Sequence, residues 1–344
     1  MNRRTALFVL ALAVGMGLLG VAQQANAITI IPPSFEKTTD PDQVITMSVM
    51  LFNESSATST FTTSTANFTT KDEKGTPDFF PETNQDDLAG WITIDKGPFT
   101  ILPGQRMEIP MTIKVPATAD PGGHYTTLFF NEDNVATDTN TSGVKVNVKV
   151  GMNILLSVNG DVIESAQLTS FTTVDGKNKY SRLPVTFNAR ITNNGNVHVR
   201  PIGTLTIRNL FGGTTITVPF NATQGAILPT SVRKYEVVWD KETPSGSSTF
   251  FKEFVNEWNN FALGPYTADL ALTYGAQNDK LLTGTYKFFV FPWRIITLGV
   301  ILIGLVLWLI IFLVKRYNHW IVVRASRALS QNGNGKNEQT KKTK

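Results

Sequence analysis

Hydrophobic and polar residues alternate through much of the chain between residues 28 and 292. Strict period-two alternation predicts strands with one dry and one wet face, the pattern of antiparallel sandwich sheets. In RMEIPMTIKV, Met107, Ile109, Met111, Ile113 and Val115 point one way, while Arg106, Glu108, Thr112 and Lys114 point the other. Ile45, Met47, Val49 and Leu51 repeat the pattern, as do Val144, Val146, Val148 and Val150, and then Val185, Phe187, Ala189 and Ile191. Turn residues separate the runs at Leu102-Pro103-Gly104, Pro121-Gly122-Gly123, Asn193-Asn194-Gly195-Asn196 and Phe211-Gly212-Gly213.

The pattern occurs twice. ILPGQRMEIPMTI (101–113) matches ILPTSVRKYEVVW (227–239), and GGHYTTLFF (122–130) matches LGPYTADLAL (263–272). Two units of this length are each the size of one immunoglobulin-like sandwich. The expected fold is therefore all-β: tandem immunoglobulin-like sandwiches over 28–159 and 160–292. In such sandwiches a tyrosine opens the penultimate strand and hydrogen-bonds back across the corner, with a cysteine often two residues on. Tyr125 and Tyr266 fit that structural-corner role, with Thr127 and Ala268 in the place of the cysteine and a glycine two residues ahead of each tyrosine.

Both ends break the alternation. Residues 1–27 carry Arg3 and Arg4, an apolar run and Ala25-Asn26-Ala27, which reads as a secretory signal; an uncleaved anchor is the other reading. Ile295 to Val314 is uncharged and apolar, long enough for a bilayer core, with Trp293 and Arg294 before it and Tyr317 and Trp320 after it. The expected transmembrane helix covers 293–316. The tail, 317–344, is basic; counted from Lys315, eight basic residues stand against Glu338 alone, which places it in the cytoplasm by the positive-inside rule. The exported region is net acidic, so the overall charge of +4 is a property of the ends and gives no support for nucleic-acid binding. Membrane lipid is expected to meet the helix and the basic tail. With no cysteine in the chain, disulfides, thiol catalysis and thiolate metal sites are excluded.

IIPPSFE (30–36), AGWITIDKGPFTILPGQ (89–105) and IKVPATADPGGHY (113–125) resemble the bacterial WxL-interacting protein family, in particular its N-terminal peptidoglycan-binding domain, over roughly residues 28–155. The second half is loosely similar to that family's second immunoglobulin-like domain. The resemblance implies a membrane-anchored, extracytoplasmic two-domain protein of the bacterial cell surface that contacts peptidoglycan or another surface protein. A rival reading is a chaperone-like accessory subunit of a surface-assembly or export machine, which uses sheet edges to hold secreted strands. Unpaired sheet edges favour the rival; a covered edge with an exposed aromatic patch favours wall binding.

Chemistry-bearing residues are sparse. His124 follows a turn, His198 alternates with Val197 and Val199 on an expected wet face, and His319 lies beyond the membrane helix, so no metal site is expected. The acidic stretch 131–143 offers Glu132, Asp133 and Asp138 to calcium, yet lacks the spacing of a calcium loop and reads as a hairpin connection. Asp86 and Asp87 are adjacent and point apart, a poor basis for acid–base work. No catalytic residue and no cofactor is expected. Aromatic residues are the better ligand-binding candidates. Phe79 and Phe80 fall in an expected long loop, 71–90. Phe251, Phe254, Val255 and Trp258 recur at helical spacing, a stripe that either caps the second sandwich or forms a binding platform.

Overall fold

The computed structural model describes residues 28–80, 87–132, 149–241 and 250–339. The expected signal, most of the acidic stretch 131–143, the alternating run at 144–148 and Asp86 lie outside the described residues, as does the side chain of Phe251.

The first domain contains β1 (Ile28–Ile31), β2 (Ser34–Thr39), β3 (Val44–Asn53), β4 (Ser59–Thr70), β5 (Pro77–Phe80), the one-turn helix α1 (Leu88–Trp91), β6 (Ile92–Ile94), β7 (Phe99–Ile101), β8 (Arg106–Lys114), β9 (Gly122–Glu132) and β10 (Lys149–Val158). One sheet has the order β1-β3-β8-β6; the other runs β2-β10-β9-β4-β5, with β7 also on β4. The second domain contains β11 (Ala166–Thr173), β12 (Lys179–Tyr180), β13 (Val185–Asn193), β14 (Ile202–Asn209), β15 (Thr214–Phe220), β16 (Val232–Trp239), helix α2 (Phe250–Asn259), β17 (Gly264–Tyr274) and β18 (Lys280–Val290). Its sheets are β11-β13-β16 and β12-β18-β17-β14-β15. Helix α3 (Trp293–Gln339) follows.

The alternation places the cores. Val49, Leu51, Ile109, Met111 and Ile113 are buried between the sheets of the first domain, and Val185, Phe187, Ile191 and Trp239 between those of the second. Each fully buried side chain of this size is worth about 1.5–3 kcal/mol against exposure, so the dry faces hold the sheets together. The two cores share no residue.

The internal repeat extends to a buried polar clamp. In the first domain Asn53 Nδ2 donates to the carbonyls of Ala57 (2.8 Å) and Ile101 (3.0 Å), and its Oδ1 accepts from the Ser55 amide. In the second, Asn193 Nδ2 donates to Val197 (2.8 Å) and Ile227 (2.9 Å), and its Oδ1 accepts from the Gly195 amide. Both asparagines are wholly buried. The clamp ties the end of β3 or β13 to the loop that follows it and to the residue at Ile101 or Ile227, where the repeated ILP begins.

Two expectations change. Phe79 and Phe80 lie on a strand: β5 pairs with β4, Phe79 opposite Phe68 and Phe80 opposite Asn67, because the turn at 71–76 is tight enough to make a hairpin. Asp72 Oδ1 closes that turn on the amides of Lys74 and Thr76. Helix α2 forms, but Val255 is 52% and Trp258 64% exposed while Asn256, Glu257 and Asn260 are buried, so Val255 and Trp258 do not cap the core; Phe254 is half-buried. Helix α3 runs without a break through the basic segment 317–329 and on to Gln339, since each added residue gains a hydrogen bond once a helix is nucleated.

Candidate functional site

The two domains meet along a polar seam. The Pro121-Gly122-Gly123 turn docks on Asn196: the Gly123 amide donates to the Asn196 carbonyl (2.8 Å), and Asn196 Nδ2 donates to Pro121 (3.3 Å) and to Asp161 of the connection between domains (2.8 Å). A Cβ on Gly122 would stand 2.6 Å from the Asn196 carbonyl oxygen, so only glycine permits this approach. His124 takes no part; its ring packs on Trp91 and its Nε2 meets the Asp120 carbonyl.

Tyr125 and His198 form the centre of the seam. The His198 amide donates to the Tyr125 hydroxyl (2.8 Å), which lies 3.2 Å from His198 Nδ1, and His198 Nε2 lies 2.7 Å from Glu36 Oε1. One proton arrangement satisfies every group: the tyrosine O–H donates to Nδ1, and the Nε2–H donates to the carboxylate. Burial pushes the Tyr125 hydroxyl up from its ordinary value, which keeps the donor protonated. The hydrogen bond from His198, reinforced by Arg200 on the other carboxylate oxygen, holds Glu36 down at about 2. His198 is therefore buried in the seam and does not lie on a wet face.

The corner role fits Tyr125 only in part. Its hydroxyl sits over Gly123, where a Cβ would come within 1.8 Å, but its backbone partner belongs to the second domain. Tyr266 is half-buried, with its ring against Trp239 (5.0 Å) and Phe288 (5.8 Å), and its hydroxyl has no hydrogen-bond partner among the described residues. Beside the seam a cleft of about 680 Å³ is lined by Glu36, His198, Arg200, Glu164 and Lys280. Glu164 and Lys280 are already paired: their side chains lie 3.7 Å apart, Lys280 Nζ donates to the Glu164 carbonyl, and the Ala276 amide donates to Glu164 Oε1. That is the wiring of a joint. Among the described residues no cluster of three or more His, Asp or Glu is placed to hold a metal ion.

The sheet edges are a different matter. In β8, Thr112 pairs with Thr93 of β6, so the outer edge is covered over 111–113. The matching strand β16 has no neighbour beyond β13 among the described residues. Val218, at the same distance ahead of Ile227 as Ile92 is ahead of Ile101, lies instead on β15, which pairs with β14 in the opposite sheet. The Lys234 amide of β16 points outward and donates to the Glu73 carbonyl at the tip of the β4–β5 hairpin (2.7 Å), with Arg190 gripping the Glu73 carboxylate. Strand alternation then turns the amides and carbonyls of Glu236 and Val238 outward too, and among the described residues nothing pairs with them. The edge borders a groove of about 590 Å³ between β15 and β16, lined by Val218, Pro219, Lys74, Lys234, Glu236 and Val238. Val238 is 42% exposed.

A second surface lies on the first domain. Phe79 and Phe80 of β5 are exposed, and Phe79 packs edge-on against Phe129 (5.0 Å), over whose face Lys149 Nζ sits at 3.7 Å. Of the other aromatic candidates, Phe254 stacks on Trp258 on α2, and neither lines the β15–β16 groove. The open edge has a signal in the aligned repeats: Glu236 stands where the first copy has Pro110. His198 carries no such signal, because its partners come from a different domain.

No family model matches the chain, and no curated protein matches it. Among solved structures it is similar to the class 5 fimbriae chaperone CfaA, at 14% identity over 75% of this chain and 98% of that one, with a TM-score of 0.39. It is also similar to the CsuC–CsuE chaperone–tip adhesion subunit complex of Acinetobacter baumannii, at 12% identity over 75% and 97% of the two chains (TM-score 0.36). The E. coli chaperone DraB is similar at 12% identity over 77% and 98% (TM-score 0.33). At such scores the likeness says nothing about function.

Proposed function

We propose that the chain is a membrane-anchored extracytoplasmic binding protein whose second domain holds an extended segment of a partner surface protein along β16. The observation that carries this reading is the outward-facing, unpaired backbone of Glu236 and Val238 above a groove that mixes apolar and charged walls. An added strand would satisfy those groups in register with Glu73, which already bonds Lys234 as the first residue of such a strand would. Main-chain bonds would give affinity, and side chains lowered into the groove would give selectivity. A role as an accessory subunit of a surface-assembly machine follows from the same geometry. Helix α3, long and apolar enough to cross a bilayer, would hold the domains outside the cell with the basic end in the cytoplasm.

Wall binding is a second reading, and the exposed Phe79–Phe80 ledge favours it, because sugar rings pack on aromatic faces. The resemblance to WxL-interacting proteins supports assigning peptidoglycan to the first domain. The test of the main reading is residue-resolved amide exchange on the full chain, followed by a photo-reactive residue at position 238 in cells. The reading requires fast exchange at Glu236 and Val238 beside protected Tyr235 and Val237, and adducts from 238 that map to one extended segment of a secreted protein. Protected amides at 236 and 238 without a partner would show that the edge is already filled.

A further inference from the structure

Helix α2 is inside out. Among its described side chains the buried ones are polar, Glu257 at 0% and Asn256 at 6% exposure, with Asn260 just past its end at 1%, while Val255 and Trp258 are exposed. In water such a helix would roll over, because burying a carboxylate costs far more than burying valine and tryptophan returns. What pins it is α3. Glu257 Oε1 accepts from Arg294 Nη1 (2.8 Å), and Oε2 lies 3.4 Å from the Ile295 amide, so the carboxylate satisfies the free N-terminal end of the spanning helix. The pairing fixes α2 at the level where the apolar run of α3 begins.

Other apolar groups crowd the same end of the domain. Phe261 and Leu263, just past α2, are exposed. The β14–β15 hairpin tip carries Leu210 and Phe211, the latter 92% exposed. The sheet register places that tip here: Asn209 pairs with Tyr266, and Tyr266 with Phe288, two residues before β18 ends and hands over to α3. The opposite end of the domain, at Ile202 and Thr273, faces the polar seam. Basic groups frame the collar, with Lys252 exposed on α2 and Lys241 bonded to the Phe261 carbonyl.

We propose that this collar, α2 together with the Leu210-Phe211 tip, lies in the lipid headgroup layer and clamps the second domain onto the bilayer. The exposed apolar face is then solvated by lipid, and the buried Glu257–Arg294 pair acts as the rivet between α2 and α3. Because the domain is held at two separated points, it does not swivel on α3, and the open edge of β16 keeps a fixed orientation above the membrane. The proposal rests on α3 spanning the bilayer and is independent of what β16 binds.

The chain contains no cysteine, so Val255→Cys, Phe211→Cys and Val44→Cys each create a unique site for an environment-sensitive fluorophore. Val44, 60% exposed in the first domain, is the reference. The labelled full chain is reconstituted in phosphatidylcholine–phosphatidylglycerol vesicles, and vesicle flotation confirms insertion of α3 before any quenching is read. The collar predicts that nitroxide lipid with a shallow spin label quenches positions 255 and 211 several-fold more than position 44, while aqueous iodide shows the reverse order. Iodide quenching at 255 and 211 equal to that at 44 would overturn the proposal. So would protection from both quenchers, which would mean that protein covers the face, whether a second copy or another chain. If Val255→Cys fails to fold, Trp258→Cys reports on the same face.

Discussion

The two domains share their clamp, their core positions and their ILP turns, yet they treat one sheet edge in opposite ways. On β8 the edge is covered by β6 and interrupted by Pro110, which has no N–H to offer an incoming strand. On β16 the covering segment has moved to the other sheet, and the residue in the place of Pro110 is Glu236, with its amide turned outward. The difference teaches where to look for binding in a repeated fold. What the two copies keep in common holds each sandwich together; what one copy blocks and the other leaves open is a candidate for function. The first domain, closed at this edge, exposes aromatic rings instead.

The comparison is sharpened most by the shared clamp. Asn53→Ala and Asn193→Ala each remove three hydrogen bonds of the clamp, two to carbonyls and one from an amide, and each should cost about 3 kcal/mol in its own domain. Exchange protection read separately over the two domains should drop by similar amounts; a large inequality would break the equivalence of the copies. Proline at the matched outward position should separate them. Thr112→Pro removes a ladder donor to β6 and should cost about 2 kcal/mol, whereas Val238→Pro should leave the melting temperature of the second domain nearly unchanged, within about 0.5 kcal/mol.

The seam gives smaller effects. Tyr125→Phe removes the acceptor of the His198 amide and should cost about 1 kcal/mol, seen as faster exchange of that amide. The seam should also be acid-sensitive. Glu36 is depressed from 4.5 to about 2 in the folded chain, so its contribution is full above 4.5 and is lost as pH falls towards 2. Interdomain cross-linking yield should fall over that window, and Glu36→Gln should make it flat. Smallest in stability is Phe80→Ala on the exposed ledge, within about 0.5 kcal/mol, with retention on purified peptidoglycan as the readout. Undiminished retention would remove the ledge from the account of wall binding.

Much of this is legible in the chain. Alternation at Met107 to Val115 and at Val185 to Ile191 marks the core faces, since a strand buried on one side permits little else. The spacing of Phe254, Val255 and Trp258 marks a helix, but not which way it faces. That depends on Glu257 finding Arg294, a partner on a different helix. His198 misleads for a similar reason. Its neighbours in sequence describe a strand edge, while its environment is supplied by Glu36 and Tyr125 from another domain. Phe79 and Phe80 look like loop residues because a four-residue edge strand is too short to show a period.

If β16 is a strand acceptor, transplanting the block that the first domain already uses should abolish capture. Glu236→Pro removes one outward amide without touching the bonds to β13, and breaks only the surface pair with Lys234. A photo-reactive residue at position 238 is then compared in cells carrying the unaltered β16 and in cells carrying the Glu236→Pro variant. Adducts to an extended partner segment should disappear with the proline while the melting temperature of the second domain and the reactivity of a probe beside Phe80 stay as they were, if β16 accepts a strand. Unchanged adducts at 238 in the folded Glu236→Pro protein would contradict it.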